Sequence, residues 1–172
     1  MEIVLFRHGP AGTRDPRRWP DDLDRPLTPE GKGVTQLSVK GLFQLLPRAF
    51  RVISSPAIRA RMTAEIVQQE LQVSAPVEVW KELAPGTDPE NVLERCRALQ
   101  ESGRPWVLVG HEPTLSELVG LSATGTSRSV VNLGTAGAAD LSFDEGVDRG
   151  TARLRWLMTA DQLSSLWARP SH

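Results

Sequence analysis

The sequence is poor in the residues that would staple, metallate or anchor a chain. Cys96 is the only cysteine among 172 residues. An intrachain disulfide is therefore impossible, and a thiolate metal cluster cannot form within one chain. Histidine occurs three times, as His8, His111 and His172. His8 and His111 lack a nearby His or Cys at ligand spacing, and Arg7 beside His8 would repel a cation, which argues against a metal centre. No basic segment followed by a long apolar stretch and a cleavage site opens the chain. The apolar run Ile3 to Phe6 is far shorter than the roughly 20 residues of a membrane span. A cytoplasmic protein is expected. The formal net charge is −1, so no global field favours nucleic acid or an anionic membrane surface as a partner. Repeats, low-complexity tracts and an interdomain linker are missing too. With 40% apolar residues, the expectation is one domain over residues 1–172 with an ordinary buried core.

What is present alternates between short apolar runs and helical patterns. Ile3-Val4-Leu5-Phe6 reads as a buried strand that stops at Arg7-His8-Gly9-Pro10. Residues 11–26, rich in Arg, Asp and Pro, read as an exposed loop. Thr28 can cap a helix that begins at Pro29, with Glu30 near its positive end. Val34, Leu37, Leu42, Leu45 and Leu46 would form its apolar face, and Pro47 would stop it. Phe50 to Ser54 reads as a second strand. A helix from about Ala57 to Leu71 comes next, with Ile58, Met62, Ile66 and Val67 facing inward. Val77 to Trp80 is a third strand candidate, and a helix runs from about Pro89 to Glu101. Trp106 to Val109 is a strand ending in Gly110-His111-Glu112-Pro113, before a helix from Thr114 to Leu121. Ala138 to Phe143 and Ala152 to Leu157 read as a hairpin, and Asp161 to Ala168 as a short helix. This alternation predicts an α/β fold: a three-layer α/β/α arrangement on a mainly parallel sheet, to which the hairpin can add an antiparallel edge strand.

Three strands thus end in residues suited to phosphate chemistry: Arg7-His8-Gly9, Ser55-Pro56-Ala57-Ile58-Arg59, and Gly110-His111. Ligand sites in open α/β sheets collect beyond the carboxyl ends of strands. If these strands are neighbours, two arginines and two histidines meet in one pocket. Phosphoryl transfer is catalysed mainly by positioning and charge stabilisation, which arginine forks supply. A neutral imidazole nitrogen is nucleophilic near neutral pH, provided the other ring nitrogen donates to a carbonyl that sets the tautomer. Gly9 would let the backbone pass close to the ligand.

Arg7-His8-Gly9 at the end of a first strand resembles the signature of the histidine phosphatase superfamily, which includes the cofactor-dependent phosphoglycerate mutases. Leu27-Thr28-Pro29-Glu30-Gly31, Ser55-Pro56 with Arg59-Ala60 and Thr63, and Gly110-His111 come in that family's order. The resemblance covers about two-thirds of the chain. Within the superfamily the chain is most similar to the short phosphohistidine phosphatases of the SixA type. Arg25-Pro26-Leu27-Thr28, Glu82-Leu83-Ala84-Pro85-Gly86, His111-Glu112-Pro113 and the small-residue run Thr135 to Ala139 carry that likeness. It implies a phosphoglycerate mutase-like fold with His8 as nucleophile. Arg7, Arg59 and His111 would bind phosphate and stabilise the transition state, with no cofactor or metal. It also implies a general acid, for which Glu82 is the nearest match and Asp15, Asp21 and Asp22 are rivals. A chain this short has little material for a lid, which suits a protein-borne phosphohistidine of a signalling or phosphotransfer partner. A small phosphate-ester phosphatase of the same superfamily and a non-catalytic phosphate-binding module are the alternatives. Cys96 is expected in the core, as are Trp19 and Trp80 unless they edge a protein-binding groove. Arg14, Arg17 and Arg18 are expected as a solvated loop cluster or a partner contact.

Overall fold

The computed structural model describes residues 1–46, 51–98 and 105–168. The expectations for Pro47, Phe50, the end of the third helix at 99–101, and His172 lie outside the described residues. In chain order the elements are β1 (Glu2–Arg7), α1 (Pro29–Leu42), β2 (Arg51–Ser54), α2 (Ile58–Glu70), β3 (Glu78–Val79), α3 (Pro89–Ala98), β4 (Trp106–Gly110), α4 (Thr114–Thr124), β5 (Ala138–Phe143), β6 (Ala152–Met158) and α5 (Ala160–Trp167). The strands form one six-stranded sheet in the order β3-β2-β4-β1-β5-β6. Strands β1 to β4 pair in parallel, and β5 runs antiparallel to both β1 and β6. The antiparallel strand therefore lies one place in from the edge, and the hairpin places β6 at the edge itself.

Alternation along the strands divides the core. Ile3, Leu5, Ile53, Trp106, Leu108, Leu141 and Phe143 pack on one face with residues of α3 and α4, including Cys96. Val4, Phe6, Val52, Val107, Val109 and Ala138 pack on the other with residues of α1, α2 and α5. Both faces are covered, as the apolar, non-alternating strands require. Trp80 is buried and meets Trp106 edge-on at 5.9 Å, so it belongs to the core. Trp19 instead lies under the Arg18 guanidinium at 4.5 Å.

Helix starts obey their caps. Thr28 accepts from the Gly31 amide at 2.9 Å, with Pro29 in the first turn. Helix α5 starts at Ala160, one residue before the expected start, because Thr159 and Gln162 form a reciprocal capping box. Helix α4 runs three residues past Leu121, to Thr124, where Gly125 caps it at φ 79°.

The buried faces of two helices differ from the hydrophobic reading. Val34 and Leu37 are exposed, and α1 buries Gly31, Thr35, Ser38, Val39, Gly41 and Leu42 instead. Small residues face inward because neighbouring backbone comes very close: a Cβ on Gly41 would run into the main chain of Leu163 in α5. Ile58 is exposed as well, while Arg59, Ala60, Thr63, Ala64, Ile66 and Val67 are buried. The first turn of α2 therefore turns its arginine, not its isoleucine, into the protein.

One buried carboxyl sets a pH dependence. Asp140 on β5 is fully buried, with the Arg155 guanidinium at 3.3 Å, and Arg155 also reaches Glu2 at 3.3 Å. Burial, with Glu2 adding, pushes the Asp140 carboxyl up to about 6 against the pull of Arg155. Below the unfolded value the group is neutral in both states and contributes nothing. As pH rises from the ordinary 3.8 toward about 6 the unfolded chain ionises while the folded carboxyl stays protonated, so the penalty on the folded state grows across that window and is complete above it. The Asp140→Asn variant should therefore raise the melting temperature more at pH 8 than at pH 4. Equal shifts at both pH values, or a loss at pH 8, would contradict this.

Candidate active site

The site forms where β1, β4 and β2 end side by side. Arg7 pairs with Gly110 and Ser54 with Val109 in the sheet register. The ladder continues one step further, with the His8 amide donating to Gly110 O at 3.1 Å and the Ser55 amide to Val109 O at 2.9 Å. This register brings together His8 and His111, which are far apart in sequence: their rings stand 4.9 Å apart at 53°. Helix α2 adds Arg59 from its first turn, with Nε 3.4 Å from His8 Nε2. Arg7, the last residue of β1, donates from Nη1 to Leu133 O at 2.9 Å, and its buried Nε has no hydrogen-bond partner among the described residues. Four of the residues singled out by sequence, Arg7, His8, Arg59 and His111, thus converge. His8, Arg59 and His111 are buried, with 9%, 3% and 3% of their surfaces exposed.

His8 has a defined tautomer. Its Nδ1 lies 2.7 Å from the Gly9 carbonyl, which can only accept, so Nδ1 carries the proton and donates. The lone pair is left on Nε2, the nitrogen facing Arg59. Burial lowers the His8 pKa to about 4, with the charges of Arg59, Arg7 and Arg25 helping and the Gly9 hydrogen bond opposing. Burial, the neighbouring His8 and the two arginines lower His111 to about 2. Both rings are neutral at ordinary pH.

Close packing requires glycine at position 9. A Cβ there would run into the Thr35 hydroxyl and crowd the Gly31 carbonyl, and the Gly9 amide donates to Thr63 Oγ1 at 3.0 Å. The Thr63 hydroxyl in turn donates to Arg59 O at 2.8 Å. The loop after β1 is thereby locked to α1 and to the α2 turn that carries Arg59.

The carboxylates are distributed unevenly. Asp22 meets Arg59 twice: its Oδ2 lies 3.1 Å from Nη2, and its backbone carbonyl accepts from Nη1 at 2.7 Å. Its two oxygens also accept from Arg25 at 2.8 and 3.2 Å, while Arg25 donates to Gly12 O at 2.7 Å. The Arg25 hydrogen bond, with the charges of Arg59, Arg25 and Arg14, holds the Asp22 carboxyl below the usual carboxylate range despite burial. Asp15 and Asp21 use their side chains to cap local turns, accepting from the amides of Arg17 and Leu23. Glu82 stands in a short 3-10 turn and lines a cavity of about 580 Å³ with Lys81, Thr87, Asn91, Glu94 and Arg95. Among the described residues, no hydrogen bond or ion pair joins its carboxylate to His8, Arg7, Arg59 or His111. A second cleft, of about 560 Å³, runs between residues 14–23 and Ala84-Pro85 and is lined by Asp22. Sequence reasoning did not single out the Arg25–Asp22–Arg59 chain; the three-residue spacing of Asp22 and Arg25 is shared by Asp15 and Arg18 and does not mark it.

Among the described residues no group of three or more His, Cys, Asp or Glu side chains is placed to hold a metal ion, and no helix is long and apolar enough to cross a membrane. The Cys96 thiol is buried and pushed up to about 12, so it is no nucleophile. The neutral state of His8 is directly measurable. An NMR titration should show its ring neutral down to pH 5, and Arg59→Gln should move the midpoint upward. A midpoint near the ordinary 6.5 in the native chain would contradict the geometry.

Known proteins place this arrangement. The model of the histidine phosphatase superfamily (branch 1) matches residues 3–85. Phosphohistidine phosphatase SixA of Escherichia coli (strain K12) is 30% identical over 160 residues, covering 92% of this chain and 94% of that protein. An uncharacterised protein of Picosynechococcus sp. is 35% identical over 158 residues, covering 90% and 89%. A structure of the protein histidine phosphatase SixA complexed with tungstate superposes with a TM-score of 0.81 at 28% identity, covering 95% of this chain and 99% of that one. The alpha-ribazole phosphatase of Shigella flexneri has a TM-score of 0.69 at 18% identity, covering 93% and 97%, and shows the shared fold alone. The chain belongs to the histidine phosphatase superfamily, and it is a phosphatase.

Proposed function

We propose that the protein removes the phosphoryl group from phosphohistidine on a signalling or phosphotransfer protein of the cytoplasm, using His8 as nucleophile. The observation that carries this reading is the hydrogen bond from His8 Nδ1 to Gly9 O, which leaves Nε2 unprotonated among Arg59, Arg7 and His111. Nε2 attacks phosphorus and the bond to the departing nitrogen breaks. Arg7, Arg59 and His111 donate to the phosphoryl oxygens as charge spreads over them. The departing imidazole leaves neutral, having taken a proton from solvent. Water then attacks the phosphorus on His8, the phosphorus–nitrogen bond breaks, and inorganic phosphate leaves with the His8 lone pair restored.

The choice of a phosphorus–nitrogen substrate rests on the acids. An alkoxide leaving group needs a proton donor beside it, and general acid catalysis contributes roughly 100-fold or more. Asp22 is held ionised by its two arginines and is a poor donor. Glu82, the acid implied by the resemblance, lines a cavity whose lining includes none of Arg7, His8, Arg59 and His111. Imidazole is a far better leaving group than an alkoxide once protonated, so phosphohistidine can react here without an enzymic acid. The name of the E. coli relative, phosphohistidine phosphatase, agrees with this substrate class.

Turnover of a phosphohistidine-bearing phosphotransfer protein should exceed that of a panel of sugar and nucleotide phosphates, with His8→Ala as the blank. Faster turnover of the small esters would assign the protein to ester hydrolysis instead. The Glu82→Gln variant should cost phosphohistidine turnover much less than the roughly 100-fold expected of a lost general acid. A loss of that size would make Glu82 the proton donor.

A further inference from the structure

His111 is neutral, so it carries one ring proton, and which nitrogen holds that proton decides whether the ring can bind an anion or would repel it. His111 Nε2 lies 2.8 Å from Ser55 Oγ, and its buried Nδ1 has no hydrogen-bond partner among the described residues. Two arrangements satisfy the first contact: the serine hydroxyl donates to Nε2, or Nε2–H donates to the hydroxyl oxygen. The rest of the serine separates them. Ser55 is fully buried, and its Oγ already accepts from the Ala57 amide at 3.2 Å. If Nε2 donated as well, Oγ would accept twice, and its own hydrogen would be left without an acceptor among the described residues, in a buried site. Such an unmade hydrogen bond is costly. Donation to Nε2 uses every group: Oγ accepts from Ala57 and gives its proton to the ring.

We infer that Ser55 is a positioning residue that fixes His111 in the Nδ1–H tautomer, so that this otherwise unpartnered N–H donates to a phosphoryl oxygen. The chain of contacts begins in the backbone. The Ser55 amide bonds to Val109 O at the end of the β2–β4 ladder, and the Ala57 amide orients Oγ just ahead of the α2 turn that carries Arg59. One short segment, Ser55 to Arg59, thereby sets both the guanidinium and the imidazole proton. His8 is set in the complementary way: its Nδ1–H is spent on Gly9 O, leaving its Nε2 as a lone pair. Two neutral histidines 4.9 Å apart take opposite roles, one presenting an electron pair and one a proton, because one is given a carbonyl and the other a hydroxyl donor. The inference needs only phosphate-site chemistry and does not depend on the phosphohistidine assignment.

The test begins with the native chain. Long-range 1H–15N spectra distinguish protonated from bare ring nitrogens, and His8→Asn and His111→Asn variants assign the signals of a chain with three histidines. His111 should show a protonated Nδ1 and a bare Nε2; a protonated Nε2 would overturn the inference without recourse to any Ser55 variant. In Ser55→Ala the His111 proton should redistribute between its nitrogens. Its kcat/KM for a phosphorylated substrate should fall by about 10- to 100-fold, the range of one hydrogen bond to a charged group. The fall should lie in kcat more than in KM, because the donor matters most as charge develops on the phosphoryl oxygens. Ser55→Thr, which keeps the hydroxyl, should retain the Nδ1–H signal and most of the rate. A folded Ser55→Ala chain with the native tautomer and native kcat would equally contradict the assignment.

Discussion

Everything at the site hangs on the parallel register that ends β2, β4 and β1 together. Strand β4 lies between the other two, so its last residues bond to both: Gly110 O receives the His8 amide and Val109 O the Ser55 amide. A shift of one residue in either ladder would turn successive side chains to opposite faces, and His8, His111 and Ser55 would no longer meet. The shared register is held by apolar packing on both faces of the sheet and by the close approach of α1, whose Gly31 sits against Pro10. The distance between the two imidazoles is therefore a property of the whole core, not of the loops that carry them.

Burial then determines the charge states. Arg59 is almost wholly covered, and a buried cation needs partners. Asp22 provides them through its carboxylate and its carbonyl, and Arg25 ties the same carboxylate back to Gly12. The loop over residues 11–26 is thus strapped to the site by one aspartate between two arginines. Desolvation above all, with the charges of Arg59 and Arg7 adding, keeps both histidines neutral. Neutral rings can be assigned opposite tasks by their hydrogen-bond partners, which charged rings, with every ring nitrogen protonated, could not be.

Much of this was legible in the sequence, because the signals were local. Apolar runs such as Ile3 to Phe6 and Trp106 to Val109 cannot be covered except as central strands, so the residues just after them, Arg7-His8 and Gly110-His111, had to fall at one edge of the sheet. Thr28-Pro29 announces a helix start by its own chemistry, and so does Thr159 with Gln162, a capping box that hydrophobic patterning alone does not reveal. Packing against small residues was not legible. Hydrophobicity pointed to Val34, Leu37 and Ile58, whereas close backbone approach put glycine, serine and threonine inward. The acids were illegible for a different reason. Asp15, Asp21 and Asp22 are chemically equivalent in the sequence, and only the placement of Arg59 and Arg25 distinguishes the one that is bonded into the site from the two that cap turns.

The proposed chemistry requires above all that a phosphoryl group pass through His8 Nε2. Rapid mixing of the native chain with a phosphodonor, quenching in base and mapping of the protein-bound phosphate test this directly. The expected result is an acid-labile, base-stable phosphate on His8 that forms and decays at a rate matching turnover. Steady turnover with no phosphate on the protein, or with phosphate on His111 or a carboxylate, would contradict it.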